Sequence, residues 1–198
     1  MTPRLIVLNG PPAVGKSTLA RRYAAEHPLT LNLDVDRVRD LIGGWRDDAG
    51  AAGLLARAIA VAAARTHLLA GRGDLDDGRD DALARGPATP GGGYDVVVAQ
   101  LVARPGFLEQ LEAVAEEVGA TFHELVLMDA KPAVLRRFAA RARTTAGAPD
   151  AEPAEVAALY DRLTAHLESR PRVVVVPARE SAVDETYRRL LAHLDDEG

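Results

Sequence analysis

The stretch GPPAVGKST, residues 10–18, lies between the apolar run RLIVLN and the segment LARRYAAEH. The run before it is short and apolar, as in a parallel strand buried on both faces, and the segment after it has a helical pattern. Two glycines, a lysine and a hydroxyl residue match the pattern G-x-x-x-x-G-K-[ST] at this strand-to-helix junction. These residues are Gly10, Gly15, Lys16 and Ser17. The stretch therefore predicts a phosphate-binding loop, called the P-loop below.

The chemistry of this loop predicts a nucleoside triphosphate with Mg²⁺ as its ligand. Phosphate oxygens need several short donors at once, and the backbone N–H groups of a glycine-containing loop supply them. The start of the following helix adds a partial positive charge. We expect Lys16 to reach the β- and γ-phosphates and the Ser17 hydroxyl to bind Mg²⁺. The predicted nucleotide-binding residues are Gly10, Pro11, Pro12, Ala13, Val14, Gly15, Lys16, Ser17 and Thr18.

Composition limits the remaining classes of protein. With 198 residues, 47% of them hydrophobic, the chain can bury a sizeable core, and its length favours one domain over residues 1–198. No cysteine is present, so disulfides are excluded and a structural zinc site is not expected. The net charge of -5 argues against broad binding to duplex nucleic acid. Because we find neither an apolar run long enough to cross a bilayer nor a signal-peptide pattern, we expect a cytoplasmic protein without a membrane partner.

The rest of the chain alternates between strand-like and helical segments. We predict strands at residues 5–9, 29–34, 94–102, 121–129 and 172–177, and a long alanine-rich helix at about 51–70. This alternation predicts an α/β fold with a parallel sheet covered by helices on both faces. Residues 72–93 are rich in aspartate, glycine and proline and poor in large apolar groups, so we predict a mobile insertion there.

Acidic residues are absent where a nucleotide hydrolase would need one. ATPases and GTPases with a P-loop generally carry an acid at the end of the neighbouring strand. Here the segment VVVAQ ends at Gln100, and the sequence contains no N-K-x-D segment for guanine. Acids follow the second strand instead, in LDVDRVR, as Asp34 and Asp36. Ligands of open α/β sheets bind beyond the carboxyl ends of the strands, so we expect these carboxylates to face the phosphates.

This constellation resembles the small-molecule P-loop kinases, a group with shikimate and gluconate kinases, chloramphenicol phosphotransferase, zeta-type toxins and the polynucleotide kinase domain. The resemblance implies a P-loop NTPase fold with five parallel strands in the order 2-3-1-4-5 and a helical lid. It also implies an aspartate after strand two that orients the accepting hydroxyl and an arginine that holds the acceptor. Asp36 and Arg39 match these two roles by their spacing.

The two aspartates have alternative roles. One carboxylate is needed to orient the nucleophilic oxygen, and we assign Asp36 to it, with Asp34 as the less favoured candidate. Asp34 is nearer to the strand end and is our candidate for binding Mg²⁺ through water. Alternatively, one of the two only caps the helix that begins near Val38.

The segment RRFAARAR, residues 136–143, is the candidate lid, which we expect to span about 136–154. Arg137 and Arg141 are four residues apart and share one face of a helix. The resemblance implies that the first stacks on adenine and the second neutralises the transferring phosphate, with Arg143 as an alternative to Arg141. In this arginine-rich chain, a solvated helix face is the other interpretation. A closing lid would exclude water and favour transfer to a hydroxyl over hydrolysis.

Weaker signals concern the binding sites for the phosphate acceptor and for adenine. Gln100 and Arg104 follow strand three, where an acceptor pocket would form, and Trp45 could supply an apolar wall, although each has a structural alternative. In the resembling kinases, a loop such as PARES, residues 177–181, lies against adenine. We therefore expect an ATP- and Mg²⁺-dependent kinase acting on a hydroxyl of a small metabolite or antibiotic. A polynucleotide or nucleotide kinase, a toxin-like kinase of activated sugars, and an ATPase or regulatory nucleotide-binding module are the alternatives.

Overall fold

A computed structural model describes residues 2–70, 94–102, 105–144, 152–168, 170 and 173–196. Several of the predictions above fall wholly or partly outside these residues, among them residue 172 of the predicted fifth strand. The insertion at 72–93 and the acceptor residue Arg104 lie outside them, and so does the 145–151 part of the candidate lid.

Strands and helices alternate along the chain, as the sequence predicts. The elements are β1 Arg4–Asn9, α1 Lys16–Glu26, β2 Leu31–Leu33, α2 Val35–Asp40, α3 Ala49–Ala70, β3 Val96–Ala99, α4 Pro105–Val118, β4 Thr121–Met128, α5 Lys131–Thr144, α6 Pro153–Glu168, β5 Val174–Pro177 and α7 Val183–Asp196. The strands form one five-stranded parallel sheet in the order β2-β3-β1-β4-β5, with helices on both sides. The predicted P-loop NTPase architecture and its strand order are confirmed.

The second strand is shorter than predicted, and the backbone on either side explains its length. Leu29 has a φ of 62°, a left-handed conformation that is incompatible with an extended strand. At the other end, Asp34 is the N-cap of α2, which begins at Val35 rather than near Val38. The sequence offered a capping role for Asp34 or Asp36 as an alternative, but it gave no sign of the left-handed backbone at the apolar residue Leu29.

The chain divides into two compact units. Unit 1 comprises Met1–Val7, Ala20–Ala99 and Gly106–His123, and unit 2 comprises Leu8–Leu19, Gln100–Pro105 and Glu124–Gly198. Within unit 2, α5 and α6 share a core of Val134, Phe138 and Val156, and the P-loop residue Ala13 packs against this core. The P-loop is therefore held from one side by the helix that carries the candidate lid arginines.

Helix α3 organises unit 1 by burying a stripe of small residues. It contacts α2, β2 and β3, and its buried residues recur every four positions: Ala52, Ala56, Ala60, Ala64 and Leu68. Small side chains at this spacing let a helix approach the sheet closely. In contrast to the expectation from the sequence, α3 is long and apolar enough to cross a membrane by length and composition, the one such helix of the described residues.

Candidate active site

The P-loop backbone explains why glycine stands at its first position. Gly10 has a φ of +143°, and a Cβ atom placed there would lie 2.5 Å from the carbonyl oxygen of Leu127 on β4. Gly15 has a φ of +106° in open space, and Ala13 has a φ of 60°. Gly10 therefore satisfies a steric requirement of the sheet, whereas Gly15 satisfies a conformational requirement of the loop alone.

Lys16 closes the loop on itself. Its Nζ donates to the carbonyl oxygens of Gly10 and Pro11, each at 2.8 Å. Helix α1 starts at this residue, and the N–H groups of Thr18 and Leu19 both donate to the carbonyl of Gly15 at 3.1 Å. The ammonium is thus hydrogen-bonded to two loop carbonyls. Phosphate oxygens can take the place of these carbonyl oxygens, because both kinds of oxygen accept from the same charged donor.

The P-loop suits Mg²⁺ only together with a polyphosphate. Ser17, partly exposed in the first turn of α1, offers one hard oxygen ligand. Across the described ranges, no three histidine, cysteine, aspartate or glutamate side chains come together as a metal cage. Mg²⁺ keeps several waters and is commonly held by one or two protein oxygens plus substrate phosphates, so this donor set fits Mg²⁺ delivered with a nucleotide.

Asp34, in unit 1, has the capping role that the sequence left open as an alternative. Its side chain accepts hydrogen bonds from the backbone N–H groups of Asp36 at 3.1 Å and of Arg37 at 3.4 Å. Arg37 Nε also lies 3.8 Å from Asp34 Oδ2. The carboxylate thereby satisfies the first N–H groups of α2, which fixes the direction in which this helix leaves the strand.

Asp36, Arg39 and Trp45 come together in unit 1. Arg39 Nη1 lies 3.1 Å from Asp36 Oδ1, and Arg39 Nη2 lies 3.7 Å from Asp40 Oδ1. The guanidinium carbon of Arg39 is 4.4 Å from the centroid of the Trp45 ring, and Arg46 lies on the same ring at 4.3 Å. The Asp36 side chain is 61% exposed. The Asp36 carboxylate is thus open to solvent and paired with a cation that packs on an aromatic ring.

Gln100 follows β3, one of the two strands that flank the P-loop strand β1. Its backbone N–H donates to the carbonyl of Leu8 at 3.1 Å, which extends the sheet by one residue. Its side-chain Oε1 is buried without a hydrogen-bond partner among the described residues. A buried amide oxygen without a partner is costly, so this atom is a candidate acceptor for a donor group of a bound molecule.

The two candidate lid arginines differ in their surroundings, both within unit 2. Arg137 is 11% exposed, and its Nη2 lies 2.9 Å from Asp129 Oδ2 while its Nη1 donates to the carbonyl of Ala178 at 3.2 Å. Arg141 is exposed, as is the alternative residue Arg143. Arg137 therefore ties α5 to the loops after β4 and β5, and the latter loop contains residues 178–181 of the PARES segment.

Sequence reasoning missed two residues of this region, Asn9 and Asp129. Asn9 is completely buried at the end of β1, next to the first P-loop glycine. Asp129 follows β4, as Asp34 follows β2. In both cases the available signal was a polar residue that ends an apolar strand, which in an α/β sheet marks the edge where ligands bind.

Comparison with known proteins agrees with this fold and this loop. A sequence comparison with curated proteins finds no match. Among solved structures, a proposed kinase from Chloroflexus aurantiacus J-10-fl aligns with a TM-score of 0.67 at 16% identity, over 98% of this chain and 97% of that chain. The Deinococcus radiodurans tunicamycin resistance protein aligns with a TM-score of 0.58 at 16% identity, over 98% of this chain and 96% of that chain.

These structural similarities establish the fold and confirm the predicted resemblance to the P-loop kinase group at that level. The AAA_33 family, described as AAA domain, matches residues 5–166, a range that contains the P-loop, the acidic segment after β2 and the candidate lid. The chain belongs to the AAA_33 family of AAA domains.

Proposed function

We propose that the chain is an ATP-dependent phosphotransferase that moves the γ-phosphate of ATP to a hydroxyl group of a small molecule, a metabolite or an antibiotic. The main support for this proposal is the position of acidic residues at the ends of the strands. β3, one of the two neighbours of the P-loop strand, is followed by Gln100, whereas β2 is followed by Asp34 and Asp36. The acid after the other neighbour, β4, is Asp129, which is paired with Arg137. A hydrolase needs an acid at the end of β3 to hold the metal and aim water. A kinase needs a carboxylate that orients an alcohol.

The P-loop residues would bind the nucleotide. Backbone N–H groups and the start of α1 attract the phosphates, and Lys16 would exchange the carbonyls of Gly10 and Pro11 for β- and γ-phosphate oxygens. Mg²⁺, when bound, neutralises the charge that develops on these phosphates. Ser17 would hold the ion, and Asp34 would contact it through water while its other interactions continue to cap α2.

Asp36 would orient the accepting hydroxyl and take its proton. In this step the acceptor oxygen forms a bond to the γ-phosphorus, the bond to the β–γ bridging oxygen breaks, and ADP leaves. The exposed carboxylate of Asp36 is accessible for this role, and Arg39 is paired with it. Arg39, supported on the Trp45 ring, and Gln100 are the proposed acceptor-binding residues, together with Arg104.

The two candidate lid arginines would have different tasks. Arg141 is exposed on α5 and is proposed to neutralise the transferring phosphate. Arg137 is proposed to act on the adenine side, since its guanidinium already holds the carbonyl of Ala178 in the loop after β5. The net charge of -5 favours a small acceptor over nucleic acid, and we place the activity in the cytoplasm.

The test is to incubate the protein with ATP labelled at the γ-phosphate and the small-molecule fraction of a cell extract. In parallel, the label is offered to an oligonucleotide with a free 5′-hydroxyl. The proposal expects label in a small molecule and none in the oligonucleotide. Label in the oligonucleotide alone would establish a polynucleotide kinase, and release of inorganic phosphate without a labelled acceptor would establish an ATPase. Either result would overturn the proposal.

A further inference from the structure

The amide of Asn9 lies at the centre of a buried hydrogen-bond network next to the P-loop. Its Oδ1 accepts from the backbone N–H of Gly10 at 2.8 Å and from that of Val102 at 2.9 Å. Its Nδ2 donates to the carbonyl of Val102 at 2.9 Å and to Glu124 Oε1 at 3.2 Å. Asn9 has no exposed surface, so the full donor and acceptor capacity of its amide is used inside the protein.

Glu124 gives this amide a single orientation. The Glu124 side chain is only 4% exposed, and its Oε2 lies 3.1 Å from Arg170 Nε. Because a carboxylate accepts but does not donate, it requires the NH₂ end of the Asn9 amide to face it. The oxygen of Asn9 must then face the two backbone N–H groups. All five residues of the network belong to unit 2: Asn9, Gly10, Val102, Glu124 and Arg170.

Gly10 connects this network to the P-loop lysine through its backbone N–H and its carbonyl oxygen. Its N–H is held by Asn9, and its carbonyl oxygen accepts from Lys16 Nζ at 2.8 Å. Asn9 thus orients the backbone of Gly10, whose carbonyl oxygen accepts from the Lys16 ammonium. Through Val102, the same amide holds the segment after β3 that begins with Gln100.

We propose that Asn9 is a positioning residue that fixes the first P-loop glycine and the segment after β3 together, with its amide oriented by the Glu124–Arg170 pair. The inference rests on the proposed function only in requiring that a nucleotide binds in the P-loop. It adds a link between the nucleotide side and the proposed acceptor side, carried by one side chain.

The experiment measures binding of MgADP and thermal unfolding for the same set of variants. Asn9→Asp keeps the shape of the side chain but turns an anionic oxygen toward Glu124 and the Val102 carbonyl, so MgADP affinity is expected to fall about tenfold or more. Glu124→Gln keeps an acceptor for Asn9 and loses the charge beside Arg170. It should unfold at lower temperature and bind MgADP within about threefold of wild type.

The double variant Asn9→Asp with Glu124→Gln is the decisive one. The new amide can donate to the new carboxylate, so MgADP affinity should recover part of the loss, although the carboxylate still faces the Val102 carbonyl and the charge of Glu124 beside Arg170 is gone. A purely structural role predicts the reverse, with the double variant no better than Asn9→Asp and with affinity falling in step with unfolding temperature in all three. That pattern, or wild-type affinity in Asn9→Asp, would overturn the inference.

Two further measurements keep the test conclusive. If Asn9→Asp does not fold, Asn9→Ser replaces it, because a serine hydroxyl is too short to bridge Gly10, Val102 and Glu124, and wild-type affinity in that variant would overturn the inference. Glu117→Gln, at an exposed carboxylate of unit 1, is the control and should bind as wild type does. Absence of MgADP binding by the wild-type protein would overturn the proposed function itself and this inference with it.

Discussion

Asp36 Oδ1 and Arg39 Nη1 lie 3.1 Å apart, and the same guanidinium lies 4.4 Å from the centroid of the Trp45 ring. The three side chains come from α2 and the turn that follows it, so they are arranged locally, within ten positions of sequence. Arg39 is 29% exposed and Asp36 is 61% exposed. The carboxylate of the pair is therefore open to solvent, while its guanidinium is partly buried against the Trp45 ring, and this accessibility is what the proposed role of Asp36 requires.

Asp36→Asn should abolish phosphoryl transfer while nucleotide binding persists. An amide cannot take the proton of the acceptor, and loss of a general base costs on the order of 100-fold or more in rate. The measurement is transfer of labelled phosphate to the small-molecule fraction, with MgADP affinity measured in parallel. Asp40→Asn, at the second carboxylate beside Arg39, is the matched control and should retain transfer. Full activity of the Asp36 variant would contradict its role as the base.

The two lysines of the chain provide a matched pair for testing the P-loop. Lys16→Ala removes the ammonium that would meet the phosphates and should lower turnover of ATP by about 100-fold or more. Lys131→Ala breaks an ion pair with Asp161 on α6, 2.7 Å long, and should leave turnover unchanged. Steady-state rates with ATP distinguish the two. Equal effects of both substitutions would contradict phosphate binding by Lys16.

Glycine substitutions should differ in cost according to the space around each Cβ. Gly10→Ala meets both a positive φ and the Leu127 carbonyl at 2.5 Å, so it should destabilise the protein by about 3 kcal/mol or more. Gly15→Ala meets only the positive φ and should cost about 1 kcal/mol. Gly43→Ala has neither problem and should stay within about 0.5 kcal/mol of wild type. Denaturant unfolding gives the three values, and a different order would contradict this assignment.

Substitution of Arg137 should mainly lower stability, whereas substitution of Arg141 should mainly lower phosphate transfer. Arg137→Met leaves the Asp129 carboxylate, 17% exposed, without its 2.9 Å partner and should destabilise the protein by about 2 kcal/mol. Arg141→Met changes an exposed side chain and should alter stability by less than about 0.5 kcal/mol. It should nevertheless lower phosphate transfer about tenfold or more. Unfolding and transfer measured on both variants check this, and unchanged transfer in the Arg141 variant would remove that residue from the lid role.

The exposed pair between α3 and α4 should titrate in a defined direction. Hydrogen bonds from Arg65, with the nearest atoms 2.6 Å apart, hold the pKa of the Glu117 carboxyl below its ordinary value. A carboxyl with a lowered pKa in the folded protein stabilises it above the unfolded pKa, and this contribution is lost as pH falls through the folded pKa. Carbon NMR of Glu117 should show a higher pKa in Arg65→Met. Arg189→Met, which breaks a similar exposed pair with Glu185, should leave the Glu117 titration unchanged.

Much of the fold was accessible from the sequence because its signals are local. The P-loop is a contiguous pattern, and the alternation of apolar runs with helical segments predicts a parallel α/β sheet wherever it occurs. The boundaries were less accessible: β2 is confined to Leu31–Leu33 by the left-handed backbone of Leu29 and by the cap at Asp34. Side-chain capping and backbone handedness depend on contacts that periodicity does not contain.

By itself, the sequence determined the phosphate-binding loop, the strand–helix alternation and the acids after β2, since each depends on neighbouring residues. The tertiary structure alone decided that Arg137 pairs with Asp129 and the Ala178 carbonyl. It also decided that Asn9, which holds Gly10, bonds to Val102 and Glu124, which are 93 and 115 positions away from it in the sequence. The physical reason is that a buried polar group must find a partner wherever the fold brings one, at any separation along the chain.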